Sequence, residues 1–308
     1  MSLLNAKENS VRLKILGKPK SRDDKIFETL LCVLMFLLML LCAYPVYYVL
    51  VASISDSTAV NNGQMLLWPQ NFHTLGYQFV MKDNRILTGY GNTILYTGTG
   101  TILGLFCSLL AGYSLSRKDL PGRGFIMAVM VFTMYFSGGM IPSYLVVKTL
   151  GLTNTRWIMI LLGSISVYNI ILIRTFFSSN IATELQEAAF IDGCSNTRFF
   201  FQFVLPLSKA IIAVIALYLA VGYWNGYFNG LLYLVDRNKY PLQMFVREMI
   251  LTDSTGDIAD GEMQSMMNQM VSVIKYAVIV VSTLPIMCLY PFLQKYFVQG
   301  VMIGSLKG

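Results

Sequence analysis

Charge is what this sequence has least of. Of its 308 residues only 13% are Asp, Glu, Lys or Arg while 55% are hydrophobic, against roughly 25% charged in a soluble domain. A water-soluble chain of this length buries a large core but still needs polar side chains to cover its outside. The composition therefore excludes an ordinary soluble globule and points to lipid as the solvent. Histidine is nearly absent, and the lone His73 excludes any site that needs two histidines. The five cysteines (Cys32, Cys42, Cys107, Cys194, Cys288) form no C-x-x-C pair, and four lie inside apolar runs, so they read as small core hydrophobes and not as a disulfide or zinc framework. A G-x-x-x-x-G-K-[ST] phosphate loop is missing too: Gly17-Lys18 is followed by Pro19, which leaves no cradle for hydrolysing ATP. The net charge of +7 raises nucleic acid as a partner, but the basic residues sit beside apolar runs and make no stripe of their own, so topology explains them better.

What is present is apolar sequence in long stretches. A bilayer core of about 30 Å needs about 20 apolar residues at about 1.5 Å each. Six runs qualify, at about 26–55, 87–115, 125–147, 157–177, 206–233 and 271–297, with Pro45 a candidate kink in the first and Pro285 inside the sixth. The fold class expected is all-α, a polytopic membrane protein with six transmembrane helices. Orientation follows from Lys and Arg, which are retained on the cytoplasmic side of short segments. With the amino terminus inside, fourteen lie inside: Lys7, Arg12, Lys14, Lys18, Lys20, Arg22, Lys25, Arg117, Lys118, Arg123, Arg198, Lys209, Lys295 and Lys307. Eight lie outside: Lys82, Arg85, Lys148, Arg156, Arg237, Lys239, Arg247 and Lys275. Arg174 remains, near the inner end of the fourth run, where it can snorkel. The first run is too long for a signal peptide and lacks a clean A-x-A site, so it reads as an uncleaved helix. The expected organisation is a cytoplasmic segment 1–25, a membrane domain 26–298 with outer loops 56–86 and 236–270, and a cytoplasmic tail 299–308. Both termini face the cytoplasm of a cell membrane.

The most informative stretch lies between the fourth and fifth runs, in an inner loop 180–206. Thr183 with Gln186 three residues later matches a capping box, Gly193 can end the helix in a left-handed conformation, Ser195 is placed to cap a second short helix, and Pro206 can open the next membrane helix from its first turn. Glu184 and Glu187 lie one turn apart and Ala188 and Ala189 give a smooth, small face. A knob of this kind fits a groove.

At these residues the sequence resembles the membrane subunits of ATP-binding-cassette importers, whose signature is E-A-A, three residues, G, nine residues, I, one residue, L-P. Glu187, Ala188, Ala189, Gly193, Leu205 and Pro206 stand at those positions, with Phe203 where Ile is usual and Cys194 where Ala is common. The resemblance implies the type I ABC importer fold and makes this loop the coupling helix that sits in a cleft of a cytoplasmic ATPase. Glu187, Ala188, Ala189, Asp192, Gly193, Leu205 and Pro206 are then the coupling residues. Asn92-Thr93, the run Gly112-Tyr113-Ser114-Leu115-Ser116-Arg117, Trp224-Asn225 and the tail from Tyr290 to Gly300 look like the carbohydrate-uptake branch, in the class of the smaller maltose-type permease. Phe136-Ser137-Gly138-Gly139-Met140-Ile141-Pro142 with Leu150-Gly151-Leu152 looks like the subgroup associated with complex oligosaccharides and polysaccharide fragments. The implied partners are a second, homologous permease subunit, two ATPase subunits and an extracytoplasmic sugar-binding protein. The implied chain is itself not an enzyme and holds no cofactor, ATP and Mg being bound by the partner ATPase. The tail 299–308 is a candidate second coupling contact. The methionine-rich outer loop 236–270 is a candidate face for the binding protein.

Several residues carry two readings. Trp224, Tyr227 and Phe228 suit stacking on sugar rings or plain core packing, and the candidate substrate-pathway residues are Tyr135, Trp224, Asn225, Tyr227 and Asn229. Asn225 and Asn229, four apart on one helix face, point to a partner helix or a wet pathway. Gly138-Gly139 with Pro142 either frees backbone for a substrate or makes a structural kink, and Gly100-x-x-x-Gly104 signals close helix packing. Three rivals stay open: an importer of the same type for another small solute such as an amino acid or phosphate, an ion-coupled secondary carrier, and a membrane enzyme. The carrier lacks buried ionisable residues apart from Arg174, and the enzyme lacks a charged pair within the spans.

Overall fold

The computed structural model describes residues 22–63, 67–254 and 274–288. Most of the expected amino-terminal segment, residues 255–270 of the second outer loop, residues 289–297 of the sixth run and the tail 299–308 lie outside the described residues. All regular structure among the described residues is helical. Each of the six apolar runs contains helix, and the first two are unbroken.

The first is α1, Arg22–Ala52, continuous through Pro45 and buried only at Val51 and Ala52. Two short helices of the first outer loop follow, α2 (Ser57–Asn61) and α3 (Leu75–Lys82). The second unbroken helix is α4, Asn84–Ser116. Asp83 starts it: its carboxylate accepts from the Arg85 backbone N–H at 2.8 Å and from the Arg85 guanidinium at 2.7 Å, which satisfies a donor that a helix start leaves open.

The third, fourth and fifth runs are interrupted. The third divides into α5 (Arg123–Tyr135) and α6 (Met140–Thr149), bent by 112°. Gly139 takes φ +88° there, a conformation that favours glycine, and Pro142 is tolerated in the first turn of α6, where its missing N–H has no intrahelical partner. The expected interruption at Gly138-Gly139 is thus found, and it is larger than a kink. The fourth run divides into α7 (Arg156–Leu161) and α8 (Val167–Asn180). After α9 (Thr183–Ile191) comes α10 (Asn196–Leu207), which contains a π-helical turn over Phe200–Val204. An 83° bend separates α10 from α11 (Lys209–Trp224). Pro206 therefore sits in the last turn of α10, before the bend, and does not open the membrane helix as expected. A proline interior to a helix removes one hydrogen bond and clashes with the carbonyl four residues back, and the π turn just before it spreads those carbonyls. The chain continues through α12 (Phe228–Tyr233), α13 (Leu242–Ser254) and α14 (Ile274–Cys288).

Helix α4 is the central post. Its glycines bring it against α8, α11 and the segment between α7 and α8. A Cβ on Gly100 would clash with the Tyr223 ring, one on Gly104 would lie 2.4 Å from the Ser164 carbonyl oxygen, and one on Gly112 would lie 2.4 Å from Ile173. The expected packing role of Gly100-x-x-x-Gly104 is what the structure has, and Gly112 extends it. The amino-terminal half of α4 is tied to the loop before α13. The Asn92 amide donates to the carbonyls of Asn238 (2.7 Å) and Tyr240 (3.1 Å), the Tyr96 hydroxyl donates to Lys239, and the Leu242 N–H donates to the Thr93 hydroxyl. Asn92 and Thr93 are almost fully buried, so these bonds meet polar demands that lipid could not.

Candidate functional site

Two regions carry the residues singled out by the sequence. The first is the loop built on α9. Ala182, and not Thr183, occupies the cap position, and no side chain caps the helix. The expected capping box does not form, because Thr183 is already the first helical residue. Gln186 turns elsewhere: with its amide oriented by the hydrogen-bond network, its oxygen accepts from the Arg117 guanidinium at 2.6 and 3.1 Å. The other end matches expectation. Gly193 has φ +77°, its N–H donates to the Phe190 carbonyl (3.0 Å), and the Cys194 N–H donates to Ala189 (2.9 Å). These two bonds are the Schellman pair that closes a helix on a left-handed residue. Ser195 then caps α10 by accepting from the Arg198 N–H at 3.3 Å.

This geometry divides α9 into two faces. Leu185, Ala189 and Phe190 pack into a core of Leu109, Ile173, Phe177, Phe199, Phe200 and Val204. Phe190 meets Phe199 edge-on at 6.0 Å, and Phe199 stacks on Phe203 at 5.3 Å, which gives Phe203 a packing role of its own. Ala189, expected on the docking face, is 6% exposed and lies inward; its small side chain lets α9 approach its own chain. Leu205 is half-buried against the same core. The outward face holds Glu184, Glu187, Ala188 and Ile191, followed by Asp192 and Gly193, all exposed. Pro206 is exposed as well. Ile191 is 87% exposed and was missed by the sequence reading, although its spacing of three and four residues from Ala188 and Glu187 places it on their face.

The second region is a half-open cavity of about 340 Å³ between α4, α7, α8, α11 and α12. Its walls include Tyr96, Ser166, Asn169, Tyr218, Tyr223 and Asn229, together with Gly163, Gly222 and Gly226. Two helix interruptions converge on it: residues 162–166 between α7 and α8, and residues 225–227 between α11 and α12. Non-helical backbone at membrane depth persists only where protein or a wet cavity satisfies it. Side chains do part of that here. Tyr223 donates to the Ile160 carbonyl (2.5 Å), Ser164 to Leu161 (2.8 Å) and Asn225 to Val221 (3.0 Å).

Of the five residues expected along a pathway, only Asn229 lines this cavity. Trp224 is 5% exposed, its indole N–H donates to the Ser282 carbonyl at 2.9 Å, and Tyr90 meets its ring edge-on at 6.2 Å, so it is core. Asn225 closes its own helix, and the break after it removes the shared face with Asn229. Tyr227 lies beneath the Arg247 guanidinium at 4.5 Å, and Tyr135 is 74% exposed at the end of α5. Tyr96, Asn169, Tyr218 and Tyr223 were missed. A buried amide inside an apolar run, as at Asn169, is the signal that could have found one of them.

Residues 100–303 match the family model described as binding-protein-dependent transport system inner membrane component. The chain belongs to that family. The permease is 40% identical to the polygalacturonan/rhamnogalacturonan transport system permease protein YtcP of Bacillus subtilis (strain 168), over 92% of this chain and 99% of that one. It is 41% identical to Protein LplC of the same organism, over 86% and 89%. Among solved structures it resembles a chain of a bacterial ABC transporter involved in the import of the acidic polysaccharide alginate, with a TM-score of 0.81 and 34% identity, over 91% of this chain and 100% of that one. The type I ABC importer fold expected from the sequence is therefore the fold of this chain, and it is a membrane-embedded, non-catalytic permease subunit whose ATPase is a separate subunit.

Proposed function

We propose that this permease carries oligosaccharides inward, and that acidic oligosaccharides of the kind released from uronate polymers are its substrates. The substrate class is supported by relatives at 40% and 34% identity, named for polygalacturonan/rhamnogalacturonan and for alginate. The single observation that carries the pathway is the cavity at the two helix interruptions. Its hydroxyl and amide groups suit sugar hydroxyls, its tyrosines suit C–H faces of sugar rings, and broken membrane helices are where transporter sites are built.

In this reading the α9 side of the bundle faces the cytoplasm, both termini lie on that side, and the outward face of α9 docks in a cleft of the ATPase, which binds the ATP and Mg. A second homologous permease subunit, two ATPase subunits and an extracytoplasmic sugar-binding protein complete the importer. ATP drives transport only through contacts that differ between the two states of the permease, and Glu187, Ala188, Ile191, Asp192 and Gly193 are the residues available to make them. The test is uptake of labelled oligogalacturonides and of neutral maltooligosaccharides by cells carrying the intact importer or the Glu187→Lys or Asn169→Leu permease. Acidic-oligosaccharide uptake that disappears with Glu187→Lys and weakens with Asn169→Leu is expected. Uptake of neither sugar class by the intact importer would sink the substrate assignment.

A further inference from the structure

Arg117 stands where α4, α5 and α9 meet. It is the residue after the last turn of α4, and its side chain is only 11% exposed. The guanidinium lies over the Phe190 ring of α9 at 5.1 Å and donates to the Gln186 amide oxygen of the same helix at 2.6 and 3.1 Å. It is held in that direction from behind by a fork with Asp119, at 2.8 and 2.6 Å, and by a longer bond to the Tyr113 hydroxyl at 3.4 Å. Its carbonyl accepts from Arg123 at the start of α5, at 3.4 Å. The fork holds the Asp119 carboxyl below the usual carboxylate range, so the pair stays charged at neutral pH. Tyr113 in turn packs on Phe200 of α10, with centroids 5.0 Å apart.

We infer that Arg117 is a strut that makes α9 and α4 move as one body, so that a displacement of α9 by its partner reaches the membrane helix packed along the cavity. The inference rests on the reading of α9 as the ATPase-docking helix. Coupling between sites needs a physical element that both ends bias, and the packing of Leu185, Ala189 and Phe190 against the bundle is apolar, which resists separation but defines direction poorly. A planar guanidinium that stacks on one residue and bonds three others fixes both distance and direction. Lysine at this position keeps the charge and loses the fork and the stack.

The experiment uses the complete importer in liposomes with its substrate-loaded binding protein. It compares Arg117→Gln, Arg117→Lys, the paired variant Gln186→Ala with Phe190→Leu, and Glu187→Lys as the docking control. Readouts are ATPase retained on affinity purification, ATP hydrolysed, substrate transported per ATP, and thermal midpoint. Expected for Arg117→Gln is retained ATPase, with transport per ATP reduced about tenfold, equal to about 1.4 kcal/mol of coupling. Stimulation by the loaded binding protein should fall as well, and Arg117→Lys should be intermediate. A purely structural role would lower midpoint, hydrolysis and transport together and leave their ratio intact, which overturns the strut. If Arg117→Gln fails to accumulate, the paired variant removes the same contacts from the α9 side and decides by the same ratio. An unchanged ratio while Glu187→Lys strips the ATPase overturns the strut and leaves docking standing. ATPase retained and coupled with Glu187→Lys overturns docking, and the strut with it.

Discussion

Gly104 offers the sharpest test of how the cavity wall is held. An added Cβ would stand 2.4 Å from the Ser164 carbonyl oxygen and 3.2 Å from the Leu219 side chain, where ordinary contacts begin near 3.4 Å. The nearest atom is backbone, so it cannot rotate away, and α4 would have to withdraw from the 162–166 interruption by about 1 Å. Overpacking of this kind costs about 1–3 kcal/mol, offset by about 1 kcal/mol from replacing glycine with alanine in a helix. Gly98 lies on the same helix with nothing within 4 Å of its Cβ position, so Gly98→Ala keeps the gain without the clash. The two alanine variants should therefore differ by about 1–3 kcal/mol in stability, read as the difference in SDS-denaturation midpoint of the purified importer in detergent. Gly104→Ala should also reduce uptake, since Leu219 lines the cavity and Ser164 follows Gly163 of its wall. Equal stability of the two variants, within about 0.5 kcal/mol, would refute the close approach.

Gly193→Val should cost about 1–2 kcal/mol, because the φ of +77° is strained for any side chain even where space is open; Gly193→Asn should lose less, and uptake against membrane abundance separates the two. Trp224→Phe should destabilise by about 1–3 kcal/mol, by leaving the buried Ser282 carbonyl without its donor, while the apparent affinity for substrate stays the same; a change in affinity with stability intact would return Trp224 to the pathway. Thr93→Val should free the loop before α13, seen as faster protease cleavage near residue 240 and slower uptake. Hydrogen bonds from Arg85, the largest influence, hold the Asp83 carboxyl below its ordinary value near 3.8. Its cap is therefore fully charged at neutral and mildly acid pH and is lost only as pH falls through that lowered value. Asp83→Asn should accordingly leave the pH dependence of stability between 5 and 8 unchanged.

Much of the fold is written in patterns that depend on local chemistry. Gly193 and Ser195 are legible because a left-handed closure and a hydroxyl cap need those residue types, and Gly100, Gly104 and Gly139 because close approach and positive φ do. The capping box fails for a physical reason: Thr183 and Gln186 have the right spacing, but the helix begins one residue earlier than a Thr183 cap requires, and Arg117 competes for the Gln186 amide. The interruptions at 162–166 and 225–227 carry turn-forming residues, Gly163-Ser164 and Asn225-Gly226, but each is too short to break the apolar run around it, and hydropathy does not record whether the backbone is helical. Trp224 and Asn225 then mislead, since an unbroken helix would turn Asn225 and Asn229 to one side. The outward face of α9 is partly legible: Glu187 and Ala188 follow from spacing, whereas Ala189 and Ile191 exchange places once the core claims Phe190.

Helix α1 joins the rest of the described chain only near its end, where Val51, Ala52 and Tyr48 meet Val60 and Tyr276. Along the rest of its length its side chains are exposed, so its surroundings ask for a length and an oiliness and set almost no pattern. Leucine, valine, methionine and phenylalanine are nearly interchangeable there, and this stretch is free to drift in sequence while α4, bound by its glycines, is not. Its 31 residues span about 46 Å at 1.5 Å each, well beyond a hydrocarbon core of about 30 Å. The surplus is absorbed by tilt or by an end standing in the headgroups. With one end held at Val51 and Ala52, the excess lies toward Arg22, where Asp23, Asp24 and Lys25 suit the headgroup region.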